Sequence, residues 1–166
     1  MAIRLGTSTA LRAGIAILAI AAATIAGAFV FQALGYAPCE LCLKERIPYY
    51  AGMAVALPTV VLAARGPRRL LPVCFAALFL IFAASAVFGV YHAGVEWGFW
   101  PGPSSCTGAI GRATSMQDFL HQLNNAKVVR CDAVAIRILG LSLAGWNAVI
   151  SALLAGIAAV GFRRAP

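Results

Sequence analysis

Four cysteines carry the chemistry this sequence could do. Cys39 and Cys42 form a C-x-x-C pair, and Cys106 and Cys131 follow with 24 residues between them. Thiols two residues apart suit redox work, because that spacing goes with a lowered thiol pKa and ready exchange. A bridge from Cys39 to Cys42 would close too small a ring to constrain much of the unfolded chain, so a purely structural role is weak there. For Cys106 and Cys131 a structural staple is a fair alternative. Zinc is another, since four thiolates can hold it and C-x-x-C is a common half-site. A second C-x-x-C is missing, and zinc ranks below redox; no metal is expected. A c-type haem needs His after the second cysteine, where Leu43 stands. Cys74 lies in an apolar stretch and reads as packing.

The neighbours of Cys42 fit an activated thiol. Lys44 and Arg46 are close in sequence, opposed by Glu40 within the pair. If a helix starts near Cys42, Arg46 lies one turn on along the same face. A cation and a helix N-terminus would then both favour the thiolate. Pro48 is comfortable only in a first turn, which leaves open a start nearer Glu45. Arg46 read as an interfacial anchor is an even alternative. His92, beside Tyr91, falls where a bound ring could sit, although a boundary histidine needs no function; His121 needs none either.

The elements that must position these residues are membrane helices. Of 166 residues, 62% are hydrophobic and 11% charged, with a mean hydropathy of +0.89. That leaves too little polar surface for a soluble domain. The stretches 13–39, 47–64, 70–95 and 138–162 contain no Asp, Glu, Lys or Arg. A spanning helix needs roughly 20 apolar residues. An all-α membrane four-helix bundle follows, as a single domain over 1–166. Its spans are near 14–34, 47–64, 70–91 and 138–161, with outer loops near 36–46 and 92–137. The first run is longer than a signal-peptide core, and three more spans follow it.

Charge sets the orientation. The termini and the turn at 65–69 hold seven arginines and no acid, for a charge of +7, while the other side sums to +1. Short basic segments stay in the cytoplasm, so both termini are expected there. All four candidate cysteines then share the opposite, oxidising side, although none was used to find the topology. The excess of positive charge reports topology. No basic patch with interleaved aromatics suggests nucleic acid. Charge-free spans also weigh against a pump or channel.

The second outer loop opens on Trp97, Phe99 and Trp100, as expected at a membrane boundary, then Pro101-Gly102-Pro103. Met116, Phe119, Leu120 and Leu123 make one apolar helix stripe, with Ser115 and Asp118 resembling a capping box. A short amphipathic helix on the outer surface is expected there.

The segment Cys39-Glu40-Leu41-Cys42-Leu43-Lys44-Glu45-Arg46 resembles the C-x-L-C-x-x-E-R motif of the disulfide bond formation protein B family. Pro101-Gly102-Pro103-Ser104-Ser105-Cys106 resembles that family's approach to its third cysteine. Cys131-Asp132, Leu139-Gly140-Leu141-Ser142 and Trp146-Asn147 resemble its path into the last helix. The likeness covers nearly the whole chain. It implies a bacterial inner-membrane thiol oxidase that reoxidises a periplasmic thioredoxin-fold partner of the DsbA type. Electrons would pass to a membrane quinone, ubiquinone or menaquinone. By the same resemblance Cys106 would form the mixed disulfide and Cys131 would be its resting partner. Cys39 would exchange with that pair, Cys42 would face the quinone, and Arg46 would hold the quinone and stabilise the thiolate. His92 is a further candidate for the quinone site. A paralogue with a dedicated partner, a reductase run in the other direction, or a non-enzymatic membrane protein with inert disulfides remains the alternative.

Overall fold

The computed structural model describes residues 2–103, 106, 115–117 and 130–165, with side chains from residue 9 onward. Four helices carry the fold: α1 (Ala2–Ala33), α2 (Glu40–Arg65), α3 (Leu71–Glu96) and α4 (Leu143–Arg163). Each includes a stretch long and apolar enough to cross a membrane. The chain is therefore a multi-pass membrane protein with an all-α bundle. The amphipathic stretch expected at 116–123 lies largely outside the described residues.

The helices form a closed ring in which α1 packs on α2, α2 on α3, α3 on α4 and α4 on α1. The ring is apolar on both sides. Ile17, Tyr49, Phe75, Phe82 and Leu154 fill its interior, while Leu57, Leu80, Val87 and Val160 face outward. Lipid is as apolar as these side chains, so close packing and interhelical hydrogen bonds must hold the bundle. Small residues allow the closest approaches. A Cβ on Gly89 of α3 would lie 2.8 Å from the backbone nitrogen of Ala148 on α4. The polar glue is a buried chain. Tyr49 Oη donates to Asn147 Oδ1 at 2.7 Å and is bonded to Ser151 Oγ at 3.0 Å; Ser151 Oγ is bonded to Ser85 Oγ at 2.9 Å. It ties α2 and α3 to α4.

The helix ends explain where the loops turn. α1 and α3 both stop in a left-handed glycine, Gly35 (φ 95°) and Gly98 (φ 74°). At each, the next residue donates back across the last turn: Tyr36 N to Phe31 O at 3.1 Å and Phe99 N to Gly94 O at 2.9 Å. α3 therefore runs past its apolar stretch to Glu96. Its end is covered by Trp100, which stacks on Tyr91 at 6.1 Å and donates from Nε1 to the Tyr91 carbonyl at 2.8 Å. Before α4, strands β1 (Arg137–Ile138) and β2 (Leu141–Ser142) pair antiparallel around Leu139 and Gly140, both at positive φ. Two such residues suit a tight hairpin turn. Trp146 Nε1 donates to the Ile138 carbonyl at 2.9 Å, which pins the hairpin onto α4.

Candidate functional site

The C-x-x-C pair starts a helix. Cys39 is the N-cap of α2, with its Sγ accepting from the backbone N–H of Cys42 at 3.2 Å. Pro48 lies well inside α2, so the start is not near Glu45. The missing donor at Pro48 leaves the carbonyl of Lys44 free of its usual intrahelical bond. The helix tolerates this because neighbouring elements, not isolated propensity, stabilise it.

Within the first turn the Cys39 and Cys42 sulfurs lie 2.7 Å apart. Two thiolates around one tetrahedral zinc, at a Zn–S distance of about 2.3 Å, would stand roughly 3.8 Å apart. The His92 ring joins these sulfurs in a cluster within 4.8 Å, a donor set suited to a soft metal by type. The sulfur–sulfur approach fits bond formation better than shared ligation.

His92 is the residue the sequence placed least well. It is buried on α3, with Nε2 3.6 Å from Cys39 Sγ and Nδ1 3.0 Å from Glu45 Oε1. A Cys–His–Glu chain thus joins α2 to α3. The hydrogen bond from the Cys42 thiol is the largest influence on Cys39. Burial opposes it and His92 adds to it, so the Cys39 thiol is pushed down to about 4.

The other pair is bridged: Cys106 and Cys131 form a disulfide with a Cα–Cα distance of 5.4 Å. Both are buried in one apolar cluster with Cys39, Leu41 and Val95, against which Cys42, Phe88 and Tyr91 pack. The tertiary structure gathers all four sequence-predicted cysteines at one end of the bundle. Cys74 stands apart on α3, half-buried with a free thiol.

Beside Cys42 opens a cavity of about 520 Å³ between α1, α2, α4 and the hairpin. Cys42, Glu45, Arg46 and Tyr49 line it from α2, Phe31 from α1, Leu139 from the hairpin turn, and Trp146 and Asn147 from α4. Arg46 is one turn beyond Cys42 on the same wall. Its Nη1 donates to Gln32 Oε1 at 3.1 Å, and its guanidinium lies 5.1 Å from the Phe29 ring centre. Lys44 pairs with Glu40 at 2.8 Å on the surface. Cys39 and His92 are not among the residues that line the cavity.

Sequence reasoning missed two residues here. Glu45 counted as an outer-loop charge, a motif position and a possible helix start, with no role at the site, but it is buried between His92 and the cavity. Asn147 entered only through its place beside Trp146. It is 8% exposed, and its amide Nδ2 is a buried donor without a hydrogen bond of good geometry, close to the Glu45 carboxylate. A charged residue at a helix position that the bundle buries, and an amide inside an apolar span, are the signals that could have marked them.

Comparison with known proteins agrees with this geometry. An uncharacterized protein of Rickettsia prowazekii (strain Madrid E) is 27% identical over 142 residues, covering 84% of this chain and 77% of the relative. No solved structure matches the chain. The family model for disulfide bond formation protein DsbB matches residues 11–161. That match runs from the first span to the last, and both cysteine pairs and the helices that hold them fall within it: the chain belongs to the DsbB family, whose work is disulfide-bond formation at a membrane.

Proposed function

We propose that this protein is a quinone-dependent thiol oxidase of the bacterial inner membrane, with both termini cytoplasmic, that reoxidises a periplasmic DsbA-type partner. The observation that carries the reading is the placement of Cys42. Its thiol lines an apolar cavity, while its partner Cys39 shares a buried cluster with the Cys106–Cys131 bridge.

The cavity residues fit a quinone. Its volume falls in the usual range for small-molecule sites, roughly 300–1,000 Å³, and apolar side chains dominate its walls. The Nδ2 donor of Asn147 lies close to the Glu45 carboxylate without a hydrogen bond of good geometry, and a quinone carbonyl oxygen would give it one. Tyr49 holds the other end of that amide and so fixes its direction. Arg46 places a permanent positive charge on the same wall, where negative charge would arrive with the electrons. A bound quinone supplies the redox driving force by accepting two electrons and two protons.

The chain's own residues then pass electrons inward. A partner dithiol reduces the Cys106–Cys131 disulfide through a mixed disulfide at Cys106. The resulting thiols reduce a Cys39–Cys42 disulfide, starting at Cys39. Cys39 and Cys42 bond again when their electron pair leaves through Cys42. Each exchange breaks one S–S bond and forms another, so electrons are conserved until the quinone step.

The test is oxidation of a reduced DsbA-type protein by the purified chain, with and without added ubiquinone or menaquinone. Wild type oxidises the partner only with quinone, Cys42→Ser abolishes turnover, and Cys106→Ser abolishes the mixed disulfide. Failure of wild type with either quinone overturns the reading.

A further inference from the structure

We propose that Cys39, His92 and Glu45 form a proton relay that carries the Cys39 thiol proton into the cavity beside Cys42. The inference rests on the quinone reading above and deepens it.

Oxidising a dithiol to a disulfide releases two protons as well as two electrons. A quinone that becomes a quinol takes up both. Cys42 lines the cavity, so its proton has a direct route. Cys39 does not line it, and an apolar cluster covers most of its surface. Its sulfur meets a single imidazole nitrogen, His92 Nε2 at 3.6 Å. The opposite ring nitrogen meets Glu45 Oε1 at 3.0 Å, and Glu45 lines the cavity. Thiol, imidazole and carboxylate therefore connect a buried sulfur to the place where protons are consumed.

The step balances. In the reduced protein the proton of Cys39 rests on His92, as a thiolate–imidazolium pair whose Nδ1–H is donated to Glu45. Nδ1 gives its own proton to the Glu45 carboxylate. Cys39 is left as a thiolate and forms the S–S bond with Cys42, and the electron pair leaves to the quinone. Glu45 then releases its proton into the cavity, where the reduced quinone takes it up. Glu45 returns to the carboxylate and His92 is left neutral with its proton on Nε2, so the next turnover needs a new proton at Nδ1. One proton has moved from sulfur to the cavity with no net charge left behind.

Other groups face this chain from each packed element. Cys42 on α2 and Glu96 at the end of α3 are the titratable neighbours, the charge of Arg137 on β1 acts on Glu96, and Asn147 on α4 stands neutral next to Glu45. Among these, only Glu45 both bonds to His92 and lines the cavity. The Cys39 thiol is held low first by the hydrogen bond from Cys42, against burial, and then by His92, in accord with a proton that rests on the ring.

The experiment compares wild type, Glu45→Gln and Glu45→Asp in two measurements. The first is single-turnover reduction of added ubiquinone by the pre-reduced protein. Loss of a proton-transfer group costs about 10²-fold or more. Glu45→Gln should lose that much, regain rate with added formate or acetate, and be largely restored in Glu45→Asp. The second needs no quinone. It is the pH profile of Cys39 alkylation in the reduced, quinone-free protein. Without the carboxylate His92 becomes a weaker base, so the Glu45→Gln profile should shift to higher pH. Formation of the Cys106–Cys131 bridge checks that each variant folds. If Glu45→Gln does not fold, wild type still decides, since the relay requires slower quinone reduction in D₂O than in H₂O. Glu45→Gln with wild-type rates and an unshifted profile overturns the relay alone, as does wild type without an isotope effect. A wild type that reduces no quinone overturns the underlying reading instead.

Discussion

The thiol chemistry rests on one helix turn. Cys39 caps α2 and Cys42 sits in its first turn, so the backbone N–H of Cys42 and its thiol both point at Cys39 Sγ. Those bonds favour the Cys39 thiolate over the thiol. With the pKa lowered to about 4, the thiolate is present above that pH and is lost only as pH falls through it. Alkylation of Cys39 by iodoacetamide in the reduced protein is therefore expected to stay nearly flat from pH 7 to pH 5. Cys42→Ala removes the largest cause, and each unit of upward shift then costs about tenfold in thiolate at low pH. Peptide mass spectrometry of the alkylated Cys39 follows both. A steep wild-type decline between pH 7 and pH 6 would contradict the assignment. The C-x-x-C was plain in the sequence. The histidine beside it was not, because Cys39 and His92 are 53 positions apart and only the packing of α2 on α3 brings them together.

At the level of elements, the bundle depends on close helix contacts more than on apolar burial. The tightest approach of a glycine to another helix's backbone is between α3 and α4, where Gly89 faces Ala148. A larger side chain has no flexible neighbour to displace there. Gly89→Val should destabilise the bundle by about 1–3 kcal/mol through overpacking. Gly156→Ala, whose Cβ would meet nothing within 4 Å, should change little. Thermal unfolding in detergent distinguishes them, and equal melting temperatures would remove Gly89 from this role. The existence of four helices was legible because uncharged runs of spanning length have few other uses. Their ends were less legible. α2 starts at Glu40, before its uncharged stretch, because Cys39 caps it. α3 continues to Glu96 because Gly98 can take a left-handed conformation that ends it one turn later.

For the whole molecule, charge placement and cysteine placement must agree. The arginines at Arg12, Arg65, Arg68, Arg69, Arg163 and Arg164 fall at one end of the four-helix ring, and the two cysteine pairs cluster at the other. The positive-inside bias is the ground for the proposed orientation, with the basic end in the cytoplasm. A phosphatase reporter active only in the periplasm should be silent when fused at the C-terminus and active when inserted after Pro103. Replacing Arg65, Arg68 and Arg69 with Ala should weaken that asymmetry. The reverse reporter pattern would place the cysteines in a reducing compartment and remove the oxidase reading.

Some of this protein was fixed by local chemistry along the chain. Spanning lengths, the sign of the loops, the C-x-x-C and the grouping of the four cysteines on one side depend on composition and short spacing, which a linear reading retains. Other features depend on which helix faces meet. The cavity beside Cys42 exists because α1, α2, α4 and the hairpin leave a gap there. The path from Cys39 through His92 to Glu45 exists because α3 turns its histidine inward against α2. The amide nitrogen of Asn147 is turned toward Glu45 because Tyr49 holds its other end from a different helix. Helix rotation about its own axis is set by packing against neighbours, and the apolar runs here are nearly uniform around each helix. The sequence could therefore say that the helices span the membrane, and only the tertiary structure could say which residues they turn toward one another.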